Sequence, residues 1–157
     1  MCQRVLATAA VFVALGACGC GVAYQDGRSA AAAISLRSAW KVTGDMRSVG
    51  YAIDQDVTTA AISSSADNKG MLTIDLGKPC LFNMVVIDHG GREKGFARRV
   101  AVLTSIDGEI FTHHYAGPGT RKVTILWLGA PTLARYVRLQ TLVGGDEPWS
   151  VAEVHLQ

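Results

Sequence analysis

The segment Leu72-Thr73-Ile74-Asp75-Leu76 alternates apolar and polar residues and ends at Gly77-Lys78-Pro79. This alternation is typical of a strand with one buried face, because successive side chains point to opposite sides of a sheet. Six more strand-like segments follow, at residues 83–87, 100–103, 109–115, 122–128, 135–142 and 150–156. Turn signals such as Asp107-Gly108 and Gly117-Pro118-Gly119 separate them. The chain is therefore predicted to be all-β, an antiparallel β-sandwich of the jelly-roll type.

Composition limits the classes of protein to which the chain can belong. Its 157 residues suit one domain, and 49% of them are hydrophobic, which is enough for one core. The formal net charge is +2, and basic and acidic residues are interspersed without long runs of either sign. Because nucleic-acid-binding proteins usually carry a concentrated basic surface, we expect no nucleic-acid partner.

The N-terminal segment has the pattern of an export signal. Arg4 is followed by an uncharged apolar run over residues 5–15 and then by the small residues Gly16 and Ala17. The run is too short to span a bilayer permanently, and it lacks the 3.6-residue period expected of a buried N-terminal helix. Residues 1–17 are therefore predicted to be a signal peptide.

A lipid anchor is predicted where this signal ends. Leu15-Gly16-Ala17-Cys18 resembles the bacterial lipobox, in which a signal peptidase cuts before a cysteine that is then acylated. Lipidation of Cys18, with residues 18–30 as a tether, would place the protein in the bacterial cell envelope, either periplasmic or surface-exposed. The alternative is ordinary cleavage after Ala17 or Gly19, which leaves Cys18 or Cys20 as a plain thiol.

The remaining cysteines leave one question open. Cys2 is removed with the signal, so Cys20 in the tether and Cys80 in the domain can pair in an oxidising envelope, although their spacing does not require it. The chain has no C-x-x-C pair, which excludes a zinc ribbon or a thioredoxin-like motif.

Five motifs, in order and at appropriate spacing, point to one family. They are Ala52-Ile53-Asp54-Gln55-Asp56-Val57-Thr58-Thr59, Thr73-Ile74-Asp75-Leu76-Gly77, Ser105-Ile106-Asp107-Gly108, Ala134-Arg135-Tyr136-Val137-Arg138-Leu139 and Trp149-Ser150-Val151-Ala152-Glu153-Val154. Together they resemble the coagulation factor 5/8 type C (discoidin-like) domains of the galactose-binding-like superfamily, which includes the family 32 carbohydrate-binding modules. The resemblance assigns residues 31–157 to one such domain.

Two positions depart from the family pattern. Gln55 stands where a glycine is usual, so this turn is expected to take a different backbone conformation. Ala61 stands where members commonly carry tryptophan, so that some core packing is lost or is supplied by another residue.

A calcium site is predicted between the first loop and the last strand. Asp54, Asp56 and Thr59 bring oxygen ligands close together in sequence, and Glu153 adds a carboxylate from the end of the chain. The resemblance implies that the ligands are the Tyr51, Asp56 and Ala152 carbonyls, the Asp54 and Glu153 carboxylates, and the hydroxyl and carbonyl of Thr59. The alternative is that these acids are ordinary turn and edge residues. In either case their role is structural.

The loops at one end of the sandwich are the predicted ligand site. Family 32 modules bind sugars there with histidine, arginine, acidic and aromatic side chains, a composition that hydrogen-bonds hydroxyls and packs on a sugar face. The resemblance therefore points to His89, Arg92 and Glu93 in the loop 88–96, and to Trp149 after the loop 144–148. The alternative is that His89 and Arg92 are surface residues and that Trp149 belongs to the core.

No catalytic centre is predicted. The sequence contains no H-E-x-x-H, G-x-S-x-G, P-loop or dinucleotide motif, although a pair of carboxylates for glycoside hydrolysis stays open from spacing alone. The expected function is an exported, lipid-anchored and calcium-stabilised carbohydrate-binding module whose partners are a glycan and a membrane. The alternative is an envelope adhesion module that binds another envelope protein or a lipid headgroup through the same loops.

Overall fold

The computed structural model describes residues 32–157. The predicted signal peptide (1–17), the lipidated Cys18, the tether (18–30) and Cys20 lie outside the described residues and stay predictions. In the described part of the chain, no helix has the length and apolarity that a membrane crossing requires.

Strands dominate these residues. Two short 3-10 helices span Arg37–Ala39 and Val49–Ile53. The strands are β1 (Lys41–Gly44), β2 (Ala61–Ile62), β3 (Met71–Asp88), β4 (Arg99–Ser105), β5 (Thr112–Pro118), β6 (Val123–Val143), β7 (Ser150–Val151) and β8 (Glu153–Leu156).

Two long, bent strands organise the sandwich. The first half of β3 pairs with β1 and with the second half of β6, which also pairs with β4, and β4 pairs with β5. The second half of β3 pairs with the first half of β6 and with β8. Shifts in the β3–β6 register after Asp75 and after Phe82 mark the bend between the halves. All of the pairings are antiparallel.

The two halves enclose one core. Inward-facing Leu72 and Ile74 of the first half and Val85 and Ile87 of the second half are completely buried in the same hydrophobic cluster. Along most of β3, buried residues alternate with partly or fully exposed ones, as the period of two requires. The predicted all-β, antiparallel β-sandwich is confirmed.

A small second sheet closes one end of the core. Strands β2 and β7 pair antiparallel, and Ser63 donates its backbone N–H to the Trp149 carbonyl at 2.8 Å. Ala61 is fully buried in β2. The Trp149 ring is fully buried beside Gly70 and Met46, so a large aromatic side chain fills this region from the residue before β7 rather than from β2.

The predicted segments do form strands, but several of them are parts of one longer strand. Segments 83–87 and 135–142 are not separate strands but parts of β3 and β6, because each long strand bends without breaking its ladder. Strand β5 begins at Thr112 rather than at residue 109, because the Asp107 carboxylate accepts the N–H groups of Glu109 and Ile110 and holds the turn. Strands β1 and β2 were missed, since both are short.

Candidate functional site

The loops at one end of the sandwich form two adjoining surface pockets. One encloses about 390 Å³ and is lined by Gly91, Arg92, Glu93, Lys94, Arg121 and Glu147. The other encloses about 580 Å³ and is lined by Val57, Thr58, Asp88, Gly90, Gly91, Lys122 and Val123. Gly91 lines both pockets, and we call the two together the loop surface. At this surface the first loop, the loop after β3 and the turn before β6 lie side by side.

His89 lies beneath this surface rather than on it. Its side chain is 1% exposed; Nδ1 lies 2.6 Å from the Ser150 carbonyl and Nε2 lies 3.0 Å from the Thr124 hydroxyl. An Nδ1 that faces a carbonyl must carry a proton, so Nδ1 donates to the Ser150 carbonyl. Burial lowers the pKa of His89 below its usual value. The prediction that His89 contacts a sugar is wrong, because both ring nitrogens are used in building the loop.

Trp149 is also an internal residue. Its side chain is fully buried, and its ring packs against Gly70. The prediction that Trp149 is an aromatic platform for a sugar is therefore wrong. The alternative, that it is a core residue at the start of the final strands, describes it correctly.

The exposed part of the loop surface carries charged side chains. Arg92 and Glu93 are exposed as predicted, and the Lys122 ammonium lies 3.6 Å from the Glu93 carboxylate. Lys94, Arg121 and Glu147 were not among the predicted contacts, although Lys94 and Glu147 lie in the two predicted loops and Arg121 follows the Gly117-Pro118-Gly119 turn signal. The lining thus combines cationic donors with carboxylate acceptors.

The first loop places several oxygens around a common point. The Thr59 hydroxyl lies 2.8 Å from Asp54 Oδ2 and 3.0 Å from the Asp56 carbonyl. The Asp56 carboxylate turns away and accepts the Thr58 hydroxyl at 2.6 Å, which leaves its carbonyl oriented towards Thr59. These contacts bring together three residues to which the resemblance assigns calcium, and their ligand roles stay a prediction.

Glu153 brings the last strand to this loop. It is 1% exposed, and its carboxylate accepts the Gln55 backbone N–H and pairs with the guanidinium of Arg37. Burial raises the pKa of Glu153, the Gln55 N–H and Arg37 oppose this, and the nearby Asp54 carboxylate adds to it. The loop and the last strand thus place two carboxylates beside the guanidinium of Arg37.

The donor set fits calcium, provided that backbone oxygens take part. Across residues 32–157, no three His, Cys, Asp or Glu side chains cluster to hold a metal by themselves. Calcium accepts carbonyl and hydroxyl ligands together with one or two carboxylates, as in the loop from Asp54 to Thr59 with Glu153. Of the other implied ligands, Tyr51 ends up in the second 3-10 helix, and Ala152 is buried between β7 and β8.

Arg37 is the component of this region that sequence reasoning missed. Its guanidinium also donates to the Val154 carbonyl and lies 4.3 Å from the centre of the Trp40 ring. Arg37 precedes the domain's first strand, and nothing in the local sequence relates it to Glu153. It adds a resident positive charge beside the proposed calcium ligands.

The sequence as a whole decides the family. The model of the F5/8 type C domain family matches residues 30–154, most of the chain. The chain belongs to the F5/8 type C domain family. Among curated proteins, none matches it significantly.

Solved structures show the same fold. The CpGH89CBM32-5 module from Clostridium perfringens, in complex with GalNAc-β-1,3-galactose, superposes with a TM-score of 0.68 at 20% identity, covering 76% of this chain and 96% of the module. The family 32 module of NanJ from the same species, in complex with galactose, gives 0.66 at 18% identity, with coverages of 80% and 97%. Module CBM32-3 of a family 31 glycoside hydrolase from this species gives 0.65 at 21% identity, with coverages of 78% and 94%.

One departure from the family pattern has a defined outcome in this F5/8 type C domain. Gln55 adopts a φ of 69°, in the left-handed region that glycine enters freely and other residues enter at a cost. The expectation of a different backbone conformation therefore has no support here, since Gln55 takes a conformation suited to the usual glycine. In this conformation its N–H reaches Glu153.

Proposed function

We propose that this protein is a carbohydrate-binding module that binds a glycan at the loop surface. The observation that carries the proposal is the exposed lining of that surface, in which Arg92, Lys94 and Arg121 lie beside Glu93 and Glu147. Guanidinium and ammonium groups donate to sugar hydroxyls and carboxylates accept from them, so one sugar unit can be held on several sides. The family membership and the carbohydrate-binding modules among the similar structures support the same class of ligand.

Buried hydrogen bonds hold the loop 88–96 in one conformation. His89 anchors it from below through Ser150 and Thr124, and Gly95 accepts the Ser150 backbone N–H at 2.7 Å. Because the residues beneath this surface are buried and hydrogen-bonded, the loop loses little conformational entropy when a ligand binds. We place no catalytic step in it, and the similar carbohydrate-binding modules support this part of the proposal.

Calcium and the membrane anchor complete the proposal. We infer that calcium binds among Tyr51, Asp54, Asp56, Thr59, Ala152 and Glu153, and that Cys18 carries lipid that holds the module in the cell envelope. The converging oxygens of the first loop support the former, and the lipobox-like Leu15-Gly16-Ala17-Cys18 supports the latter. Calcium here would fasten the first loop to β8. Mass spectrometry of the membrane fraction, compared with a Cys18→Ser variant, tests the anchor.

A glycan array followed by calorimetry tests the binding function. Galactose and GalNAc-β-1,3-galactose are the first ligands to titrate, since they occupy similar modules. Arg92→Ala and Glu147→Gln should each weaken binding about tenfold or more, consistent with the loss of one or two charge-assisted hydrogen bonds. Lys78→Ala, which removes a cation at the bend of β3 away from the loops, should leave the affinity unchanged. The proposal would be refuted if no glycan on the array bound to the protein.

A second candidate is an adhesion module that binds a protein or a lipid headgroup through the same loops. It is favoured by one observation: among the described residues that line the two pockets, none is aromatic, although sugar sites commonly include such a ring. Two results together would establish this function instead. The wild type would capture one protein partner at a fixed stoichiometry that Arg92→Ala fails to capture, and no glycan on the array would bind.

A further inference from the structure

A second polar groove lies on the outer face of the sheet, formed by β1, β3 and β6. In one row across the strands, Lys41 lies opposite Asp75, which lies opposite Tyr136; in the next row, Thr43 lies opposite Thr73, which lies opposite Arg138. Opposed residues of antiparallel strands share a face and lie about 5 Å apart. These six side chains, which we call the sheet-face groove, enclose a cavity of about 300 Å³ with Gly108. None of them lines the loop surface.

Arg138 is held in place before any ligand arrives. Its Nε donates to the Thr73 hydroxyl at 3.0 Å, and its guanidinium carbon lies 3.7 Å from the centre of the Phe111 ring. Stacking on an aromatic ring and one fixed hydrogen bond restrict the rotamers of a long side chain. The terminal nitrogens of the guanidinium therefore form a fixed pair of donors.

The acid in the groove is already neutralised. Asp75 is held by Arg135 through two hydrogen bonds of 2.8 and 2.9 Å, and it also accepts the Gly77 N–H at 2.8 Å. In the part of the chain that the structure describes, neither Lys41 nor Arg138 has a carboxylate within ion-pair distance. The groove therefore retains two uncompensated positive charges, beside the hydroxyls of Thr43 and Thr73.

We propose that the sheet-face groove is a second carbohydrate subsite that binds an anionic sugar unit, with Arg138 and Lys41 on its carboxylate or sulfate group. A guanidinium offers two parallel N–H donors that match the oxygens of either group, and an ammonium adds a point charge. The threonine hydroxyls hydrogen-bond the ring hydroxyls. This subsite goes beyond the proposed loop-surface function, since it uses a different face and selects for charge.

Calorimetry on the full chain tests whether the groove prefers anionic sugars to neutral ones. The probes are a hexuronic-acid oligosaccharide, a sulfated oligosaccharide, the neutral oligosaccharide of the same length and inorganic sulfate. We expect at least one anionic oligosaccharide to bind at least tenfold more tightly than the neutral one and than inorganic sulfate, with affinity falling as salt rises. The uronate and sulfated arms show which anionic group is preferred. Equal affinity for the neutral sugar, or for sulfate alone, would overturn the proposal.

Variants locate the site. Arg138→Gln should weaken binding of the preferred anionic sugar at least tenfold, and Lys41→Gln should weaken it several-fold; Lys41 is exposed, so its loss should not affect folding. Arg138→Lys, which keeps the charge without the paired donors, should fall between wild type and Arg138→Gln. Arg99→Gln, an exposed cation at the start of β4, is the matched control and should bind as the wild type does.

Two-dimensional NMR separates this subsite from the loop surface. The anionic sugar should shift the amides of Thr43, Thr73 and Arg138, and Arg92→Gln should leave these shifts intact. If only amides of residues 91–94 move, the ligand belongs to the loop surface and the second subsite is refuted, while the proposed function survives. A neutral glycan that moves no amide at either place would count against the proposed function alone.

Discussion

Replacing Arg37 with methionine tests how the first loop is fastened to the last strand. The variant keeps an apolar stem against Trp40 and removes the guanidinium that pairs with Glu153 and donates to the Val154 carbonyl. Glu153 is 1% exposed, so its carboxylate would remain buried without its cationic partner. Breaking a buried ion pair in this way costs about 3–5 kcal/mol.

The expected loss of stability is smaller than the cost of breaking a fully buried pair. The Arg37 side chain is 21% exposed, and Glu153 keeps its hydrogen bond from the Gln55 N–H. We therefore expect Arg37→Met to lower the free energy of unfolding by about 2–3 kcal/mol, which for a domain of this size lowers Tm by about 10 °C. Thermal unfolding followed by circular dichroism, in the presence of a calcium chelator, measures it.

Two additions make the experiment specific. Combining Arg37→Met with Glu153→Gln should cost less than the sum of the two single changes by about 1 kcal/mol or more, because each alone leaves a partner unpaired. Repeating the series with calcium should shrink the loss, since a bound cation supplies positive charge to Glu153 and stabilises the state that binds it. A loss below about 0.5 kcal/mol in chelator would show that the ion pair does not stabilise the fold.

The remaining predictions concern two buried or strained positions. Gln55→Gly should raise the free energy of unfolding by about 0.5 kcal/mol, because relief of the left-handed φ of 69° exceeds the added entropy of the unfolded chain, whereas Gln55→Ala should give no gain. Because the pKa of His89 in the folded state is lowered from 6.5, the unfolded state binds more protons below that pH, and Tm should fall as the pH drops from 6.5. His89→Gln should flatten this dependence, and an NMR titration placing the His89 midpoint at or above 6.5 would contradict the assignment.

The strand pattern could be predicted because it depends on local chemistry. Alternation in the segment Leu72 to Leu76 and the Asp107-Gly108 turn both reflect interactions within a few residues, and both occur in the structure. The continuity of β3 through its bend could not be predicted in the same way. Gly77-Lys78-Pro79 is a typical strand end, and only pairing with β6 on both sides carries the chain through it as one element.

In the candidate site, too, features that depend on a residue's own chemistry could be predicted, and features that depend on distant partners could not. The exposure of Arg92 and Glu93 follows from their charge, since charged side chains mostly stay in water. His89 and Trp149 are amphipathic, and their sequence context allows either a surface or an interior position. Burial was decided by partners distant in sequence, the Ser150 carbonyl and Thr124 for His89 and the space beside Gly70 for Trp149. The pairing of Arg37 with Glu153 is of the same kind, because it joins the two ends of the domain.

The fastening of the first loop and the binding of a ligand are physically connected. Gly90 adopts a φ of 57° and passes so close to the Val57 carbonyl that a Cβ there would collide with it, so the first loop and the loop after β3 are in close backbone contact. Val57 and Thr58 also line the loop surface. Because Glu153 holds the Gln55 N–H within the same loop, loss of Arg37 should loosen one wall of the pocket. We therefore expect Arg37→Met, in chelator and well below its Tm, to weaken glycan binding several-fold without touching the ligand, and calcium to restore the affinity. An affinity equal to that of the wild type in both conditions would mean that the loop surface keeps its shape independently of the fastening at Glu153.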